Sequence, residues 1–254
     1  MKFPFLRAKA AAAPPPLSDE VSLHEVSLRR GEREVLHSLS LSLNEKRIGL
    51  IGRNGSGKSS LVRLLNGLCL ADSGRVDVFG LDPQQHRALL PARVGFIFQN
   101  PDHQIIFPTV AEELAFGLTQ QGEDNDRARE RALALLEEQG CGALAGRPVH
   151  DLSGGQKQLV CILAILIMQP DLLILDEPFA SLDLPTRNRL LRWLLRRDER
   201  LIMVTHELEC LQDFDRVIWL DEGRVVADGA AAGVIAQYRR AMAEADDGTA
   251  GLLP

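Results

Sequence analysis

Apolar and polar positions follow two rhythms along this chain. In residues 36–43, "LHSLSLSL", apolar residues alternate with period two, the period of a strand with one buried face. Together with the preceding "EVSLRR" they predict two antiparallel strands joined by a turn at Gly31. Four short runs, "RIGLI", "VGFIF", "LLILD" and "LIMVT", are continuously apolar instead, as expected of strands covered on both faces in a parallel sheet. Between them, "KSSLVRLLNGL", "DRARERALALLEEQG", "GQKQLVCILAILIMQ" and "PTRNRLLRWLLRR" carry helical spacing. Strands alternating with helices predict an α/β architecture with a mainly parallel sheet, preceded by an antiparallel β portion. No internal repeat is visible, and charge runs such as "RARER" fit a solvated helix face.

The longest apolar run, "LVCILAILIM", falls short of the roughly 18 residues a membrane-spanning helix needs, so no crossing segment is expected. Residues 1–18 have early positive charge, no sustained apolar core and the interruption Pro14 to Pro16, and are expected to form a flexible arm. The "EADDGTAGLLP" end is expected to fray, which sets a single folded domain at about 19–240 and a tail at 241–254.

Composition narrows the picture only a little. With 254 residues, 45% hydrophobic and 25% charged, the chain is neither fibrous nor disordered. A net charge of -6 argues against broad capture of nucleic acid, and no nucleic-acid partner is expected. Cys69, Cys141, Cys161 and Cys210 lie far apart with no C-x-x-C pair, so free thiols are expected rather than structural zinc or a disulfide framework.

The chemistry is concentrated in a few motifs. "GRNGSGKS", Gly52 to Ser59, follows a predicted strand and opens a predicted helix, the context of a phosphate-binding loop. Gly55 and Gly57 let backbone amides curl inward, Lys58 reaches the β- and γ-phosphates, and the Ser59 hydroxyl suits magnesium. At the end of "LLILDE", Asp176 would hold magnesium directly or through water, and Glu177 would orient or polarise an attacking water. "LSGGQKQ" precedes another helix, where Ser153, Gly154 and Gly155 present a hydroxyl and amides to a γ-phosphate. Two anion-binding helix starts imply one ATP held between them.

"GRNGSGKS", Gln99, "LSGGQKQ", "LLILDEP", "SLD" at residues 181–183 and His206 in "VTHE" together resemble the ATP-binding subunits of ABC transporters over most of residues 20–230. The resemblance implies a P-loop ATPase cassette with a helical subdomain at about 100–168 carrying "LSGGQ". It implies ATP contacts from Gly52, Arg53, Asn54, Gly55, Ser56, Gly57, Lys58, Ser59 and Ser60, and from Ser153, Gly154, Gly155, Gln156 and Asp183. It further implies magnesium (Mg2+) at Ser59, Gln99 and Asp176, catalytic roles for Glu177, His206 and Gln99, and a head-to-tail homodimer in which each "LSGGQ" completes the other copy's site. The family commonly stacks an aromatic residue on adenine after the first strand, where this chain by register has Arg30; a guanidinium also stacks on flat rings, and a plain turn arginine is the other reading.

Within that family, "FQNPDHQIIFPTVAEELAFG" is similar to the ATPases of energy-coupling-factor importers, and "RPVHDLSGG" with "EKRIGLIG" is most similar to the biotin-transporter type. Cobalt or nickel uptake is the near alternative. The resemblance implies a peripheral protein on the cytoplasmic face of the cell membrane, a transmembrane coupling subunit and a separate substrate-capture membrane subunit. Soluble ABC ATPases of DNA repair, chromosome structure or translation form a different class, but this chain has one cassette and no coiled-coil or zinc insertion. A P-loop kinase explains neither "LSGGQ" nor His206. The apolar trio Ile105, Ile106 and Phe107 after the Asn100-Pro101 turn is expected either to be partly exposed and receive a helix of the coupling subunit near Gln99 to Phe107, or to fill a satellite core.

Overall fold

The computed structural model describes residues 18–180 and 182–249, the side chains of 246–249 excepted. The expected N-terminal arm therefore lies almost wholly outside the described residues, as does Ser181. Nine strands and six α-helices are assigned among the described residues. The strands are β1 (Val21–Arg30), β2 (Arg33–Ser42), β3 (Arg47–Ile51), β4 (Ser73–Val78), β5 (Val94–Ile97), β6 (Leu172–Asp176), β7 (Arg200–Val204), β8 (Arg216–Asp221) and β9 (Arg224–Gly229). The helices are α1 (Lys58–Leu65), α2 (Val110–Gln120), α3 (Asn125–Glu138), α4 (Gly154–Leu166), α5 (Leu184–Leu195) and α6 (Ala231–Thr249).

β1 and β2 pair antiparallel around Gly31 as expected, and β4 joins the other edge of β1. The larger sheet has the order β5-β6-β7-β3-β8-β9, parallel throughout except for the β8–β9 hairpin. Every residue of β3, β5 and β6 is buried, which is why these segments read as unbroken apolar runs. One apolar cluster fills the space between the two sheets, joining Leu36 and Val76 to Leu50 and Ile174. A second lies on the far face of the large sheet and includes Ile162, Leu194, Trp219 and Val234. The third is mostly helical, built from α2, α3 and α4, where the fully buried Ala128 and Ala132 share one face of α3. It falls within the stretch 100–168 expected to be a helical subdomain.

Arg47 fixes the start of β3, the strand that delivers the phosphate-binding loop. It is 5% exposed, and its guanidinium donates to the carbonyls of Glu199 (2.7 Å), Lys46 (2.9 Å), Leu195 (3.1 Å) and Arg197. Burial pushes its pKa down while Asp215, Glu199 and Asp198 oppose the shift, so the cost of burying the charge is offset by acceptors on every side. At the other end of the chain the expected boundary at residue 240 needs correction. α6 continues to Thr249, and Ala241 and Met242 pack against the second cluster, because the apolar spacing of "VIAQYRRAM" runs across that point.

Candidate functional site

β3 runs into the loop Gly52 to Gly57, and α1 begins at Lys58 with Gly57 as its cap at φ +104°. The Lys58 ammonium, 6% exposed, donates to the carbonyl oxygens of Gly52 (2.8 Å) and Arg53 (2.9 Å), so the loop curls around it. Burial lowers the Lys58 pKa, and the carboxylates of Glu177, Asp176 and Asp221 oppose that shift. The loop is seated on the β8–β9 hairpin: the Gly223 amide donates to the Ser56 carbonyl at 3.0 Å. The buried Ser56 hydroxyl has no hydrogen-bond partner among the described residues. An unpaired buried hydroxyl beside inward-curled amides fits a ligand rich in acceptor oxygens, as a polyphosphate is.

The strand ends bring the remaining groups to this loop. The Ser59 hydroxyl donates to Asp176 Oδ1 at 2.9 Å, and one helical turn later Arg63 stands 3.6 Å from Oδ2. Burial raises the Asp176 pKa, opposed by the Ser59 hydrogen bond and by Arg63. Glu177 follows directly, its backbone at φ +50° and its amide bonded to the Val204 carbonyl (2.9 Å), which anchors it between β6 and β7. Its Oε2 accepts from Gln99 Nε2 at 3.4 Å and lies 3.2 Å from His206 Nδ1. Gln99, Glu177 and His206 thus stand just past the ends of the adjacent strands β5, β6 and β7. They line one cavity of about 710 Å³ together with Asn54, Gly55, Ser56, Gly57, Lys58, Ser59 and Ser60.

Gly52, Arg53 and Asp176 are not among its lining residues, and two further expected groupings are not found in that cavity. Ser153, Gly154, Gly155, Gln156 and Asp183 line a separate cavity of about 780 Å³. There Ser153 caps α4, accepting the Gln156 amide (3.3 Å) while its own amide donates to Gln156 Oε1 (3.0 Å). Asp183 caps α5 by accepting from the Thr186 amide at 2.8 Å, a bond that holds its pKa below the usual carboxylate range. Arg30 does not line the 710 Å³ cavity; Arg33 and Val35 of β2 do. The β1–β2 ladder shifts register three times between Leu23 and Arg29, so counting along an ideal alternation misplaces the side chains that follow. Arg33, Val35 and Arg63 were not among the expected site residues, and only strand pairing or helix placement reveals them.

The segment after β5 folds back in a short turn, with Asn100 Oδ1 accepting the Asp102 amide (3.0 Å). Ile105 and Phe107 are half-buried, Ile105 against the helical cluster and Phe107 against Phe116, whereas Ile106 is 72% exposed. One buried carboxylate shapes this loop: Glu113 Oε2 accepts both the Ile106 (2.9 Å) and Phe107 (2.8 Å) amides. The segment is also tied to α4, since Gln104 Nε2 donates to the Cys161 carbonyl (3.1 Å) and Lys157 pairs with Asp102 (2.7 Å).

A family model described as ABC transporter matches residues 36–180. The biotin transport ATP-binding protein BioM of Rhodobacter capsulatus is 46% identical over 222 residues, covering 87% of this chain and 95% of that protein. The nickel import ATP-binding protein NikO of the same organism is 40% identical over 235 residues, covering 85% and 92%. Among solved structures, cbiO1 from Clostridium perfringens, part of the ABC transporter complex cbiONQ, superposes with a TM-score of 0.75 at 28% identity, covering 86% of this chain and 91% of that one.

Proposed function

We propose, from the premise that this chain belongs to the ABC transporter family and is an ATPase cassette of that family, that it powers an energy-coupling-factor importer and that the imported substrate is biotin. The observation that carries the hydrolytic role is the convergence of Gln99, Glu177 and His206 on the cavity floored by the phosphate-binding loop. ATP is the substrate. Its phosphates lie along the amides of residues 54–60 with Lys58 against the β- and γ-oxygens. Glu177 takes a proton from the attacking water, while Gln99 and His206 hold its carboxylate in place. The oxygen donors of Ser59, Asp176 and Gln99 suit a hard cation, and they would hold magnesium, which when bound supplies positive charge to the phosphate oxygens.

Biotin is favoured over nickel or cobalt because identity to the biotin transport relative exceeds that to the nickel import relative, at similar coverage. No helix among the described residues is long and apolar enough to cross a membrane. The likeness to a subunit of a transporter complex supports a peripheral position on the cytoplasmic face. Transmembrane passage and substrate capture then belong to separate subunits, with the coupling subunit docking near Gln99 to Phe107 at the exposed Ile106.

Glu177→Gln is expected to retain ATP binding and to lose turnover by about 10²-fold or more, whereas Lys58→Ala weakens binding itself. Equilibrium nucleotide binding and phosphate release measured on both variants separate the roles. Undiminished turnover in Glu177→Gln removes the assignment.

A further inference from the structure

Gln158, the last residue of "LSGGQKQ", is fully buried in α4, and neither its Oε1 nor its Nε2 has a hydrogen-bond partner among the described residues. A carboxamide carries two donors and an acceptor oxygen, and leaving all of them unmet in the interior opposes folding. A polar group kept there calls for a second arrangement of its surroundings in which the amide is used.

α4 runs back along β5. A Cβ at Gly95, near the start of that strand, would lie 2.2 Å from Ile165 Cγ2, and Cys161 Sγ lies 3.9 Å from the Pro101 carbonyl oxygen, past the strand's end. Gln158 is one turn further toward the start of α4 on the same face, and helical side chains lean in that direction. It therefore meets the segment from Phe98 to Gln104, which leaves the sheet where the β5–β6 pairing stops at Ile97. Side chains already hold this segment. Gln104 accepts the Phe98 amide through Oε1 (3.2 Å) while its Nε2 donates to the Cys161 carbonyl (3.1 Å), and Lys157 pairs with Asp102 (2.7 Å). Gln158 is a second carboxamide at that seam, with its capacity unused. The segment carries Gln99, whose Nε2 stands 3.4 Å from Glu177 Oε2, longer than an ordinary N–H···O bond.

We propose that Gln158 is a positioning residue for Gln99: in a second arrangement of the segment its carboxamide bonds the backbone of residues 98–100, and that bond draws Gln99 up to Glu177 and the attacking water. Gln158 touches neither nucleotide nor water and acts through the segment alone. The proposal rests on the hydrolytic reading of Gln99 and Glu177 given above and adds the residue that sets Gln99 in place.

The test uses the full chain with Gln158→Leu and Gln158→Met, which remove the amide and approximately keep the volume. Both variants should keep the denaturant midpoint or raise it, because an unpaired buried amide gives way to an apolar group. The KM for ATP should stay within about twofold while kcat falls by about tenfold, the split expected when a group near the reacting atoms is misplaced. Amide exchange at residues 98–100 should slow when a nonhydrolysable ATP analogue and magnesium are added to the unaltered chain, and should not slow in either variant. Undiminished kcat in a folded variant overturns the proposal. So does a lowered midpoint with kcat unchanged once the folded fraction is counted, which assigns Gln158 to the fold alone. Should both variants fail to fold, exchange in the unaltered chain decides, and no slowing at residues 98–100 overturns the proposal. These outcomes leave the ATPase reading standing, whereas an unaltered chain that binds no ATP overturns that reading and this proposal with it.

Discussion

At Gly52 the backbone lies at φ +147°, and a Cβ there would sit 2.0 Å from the Leu220 carbonyl oxygen, a backbone atom of β8. At Gly55, φ is +78° but a Cβ would meet nothing within 4 Å. Both positions penalise an L-residue by roughly 1–2 kcal/mol for the left-handed conformation alone. Only Gly52 adds a clash that forces the loop off its seat, so Gly52→Ala is expected to cost more than about 4 kcal/mol and Gly55→Ala about 1–2 kcal/mol. Denaturant unfolding of the two variants measures the difference, and equal costs would mean that the loop does not rest on β8. The spacing of glycines in "GRNGSGKS" announces a curled loop. Which glycine is sterically indispensable is not legible in it, because the obstacle is a carbonyl more than 160 residues away. Arg33 is placed by the pairing of β1 with β2, whose register shifts change which residue faces the loop; the three-residue step from Leu36 to Leu39 marks one of these shifts, but no apolar spacing brackets Arg33 itself.

The segment between β5 and α2 shows how an element can be shaped from inside and used from outside. Ile106, 72% exposed, contributes little to the fold, so Ile106→Asp is expected to shift stability by no more than about 0.5 kcal/mol while abolishing co-purification with a membrane coupling subunit. Glu113 is 6% exposed and bonds two loop amides. Glu113→Ala should therefore leave Ile106 chemically present but no longer held, with faster amide exchange at Ile106 and Phe107 and weakened assembly. Normal assembly in Ile106→Asp, or its failure to fold, would rule out a docking loop. Strongly periodic elements could be read directly: the β1–β2 hairpin, the buried strands β3, β5, β6 and β7, and helices α1, α3, α4 and α5. β4, β8, β9, α2 and α6 were not among the expected elements. β4 and β9 are sheet edges with mixed burial, "SGRVDV" and "RVVADG", where little apolar patterning is required. α2 carries a glycine and a threonine within "VAEELAFGLTQ", and a Cβ at Gly117 would lie 2.4 Å from Met168 Sδ in its flexible side chain. α2 nevertheless carries a local start signal, a capping box in which Glu112 Oε2 accepts the Thr109 amide at 3.2 Å, and its buried Val110, Leu114 and Leu118 recur at helical spacing.

Across the whole molecule, the two helix starts suited to phosphate lie in different cavities of one chain: Lys58 at α1 in one, Ser153 at α4 in the other. Neither cavity of the single copy holds both, which supports a second copy placed head to tail so that each Ser153 meets the nucleotide on its partner's Lys58. Ser153 already serves as the cap of α4, so its hydroxyl alone is weak evidence; the separation of the cavities is what calls for the partner. If the arrangement holds, mixing chains carrying Lys58→Ala with chains carrying Ser153→Arg yields heterodimers with one intact composite site and one site damaged on both sides. Each homodimer has only damaged sites and is expected to be near background. The mixture should therefore recover activity, provided one site can fire alone, up to about a quarter of the unaltered rate: half the dimers are mixed on random pairing and each carries half its sites. Phosphate release measured against mixing ratio should peak at equal amounts of the two chains. Activity that stays at the sum of the parent variants at every ratio, with heterodimers confirmed by differential tagging, would place Lys58 and Ser153 on separate functions, and a structure with Ser153 against ATP bound to its own chain would do the same.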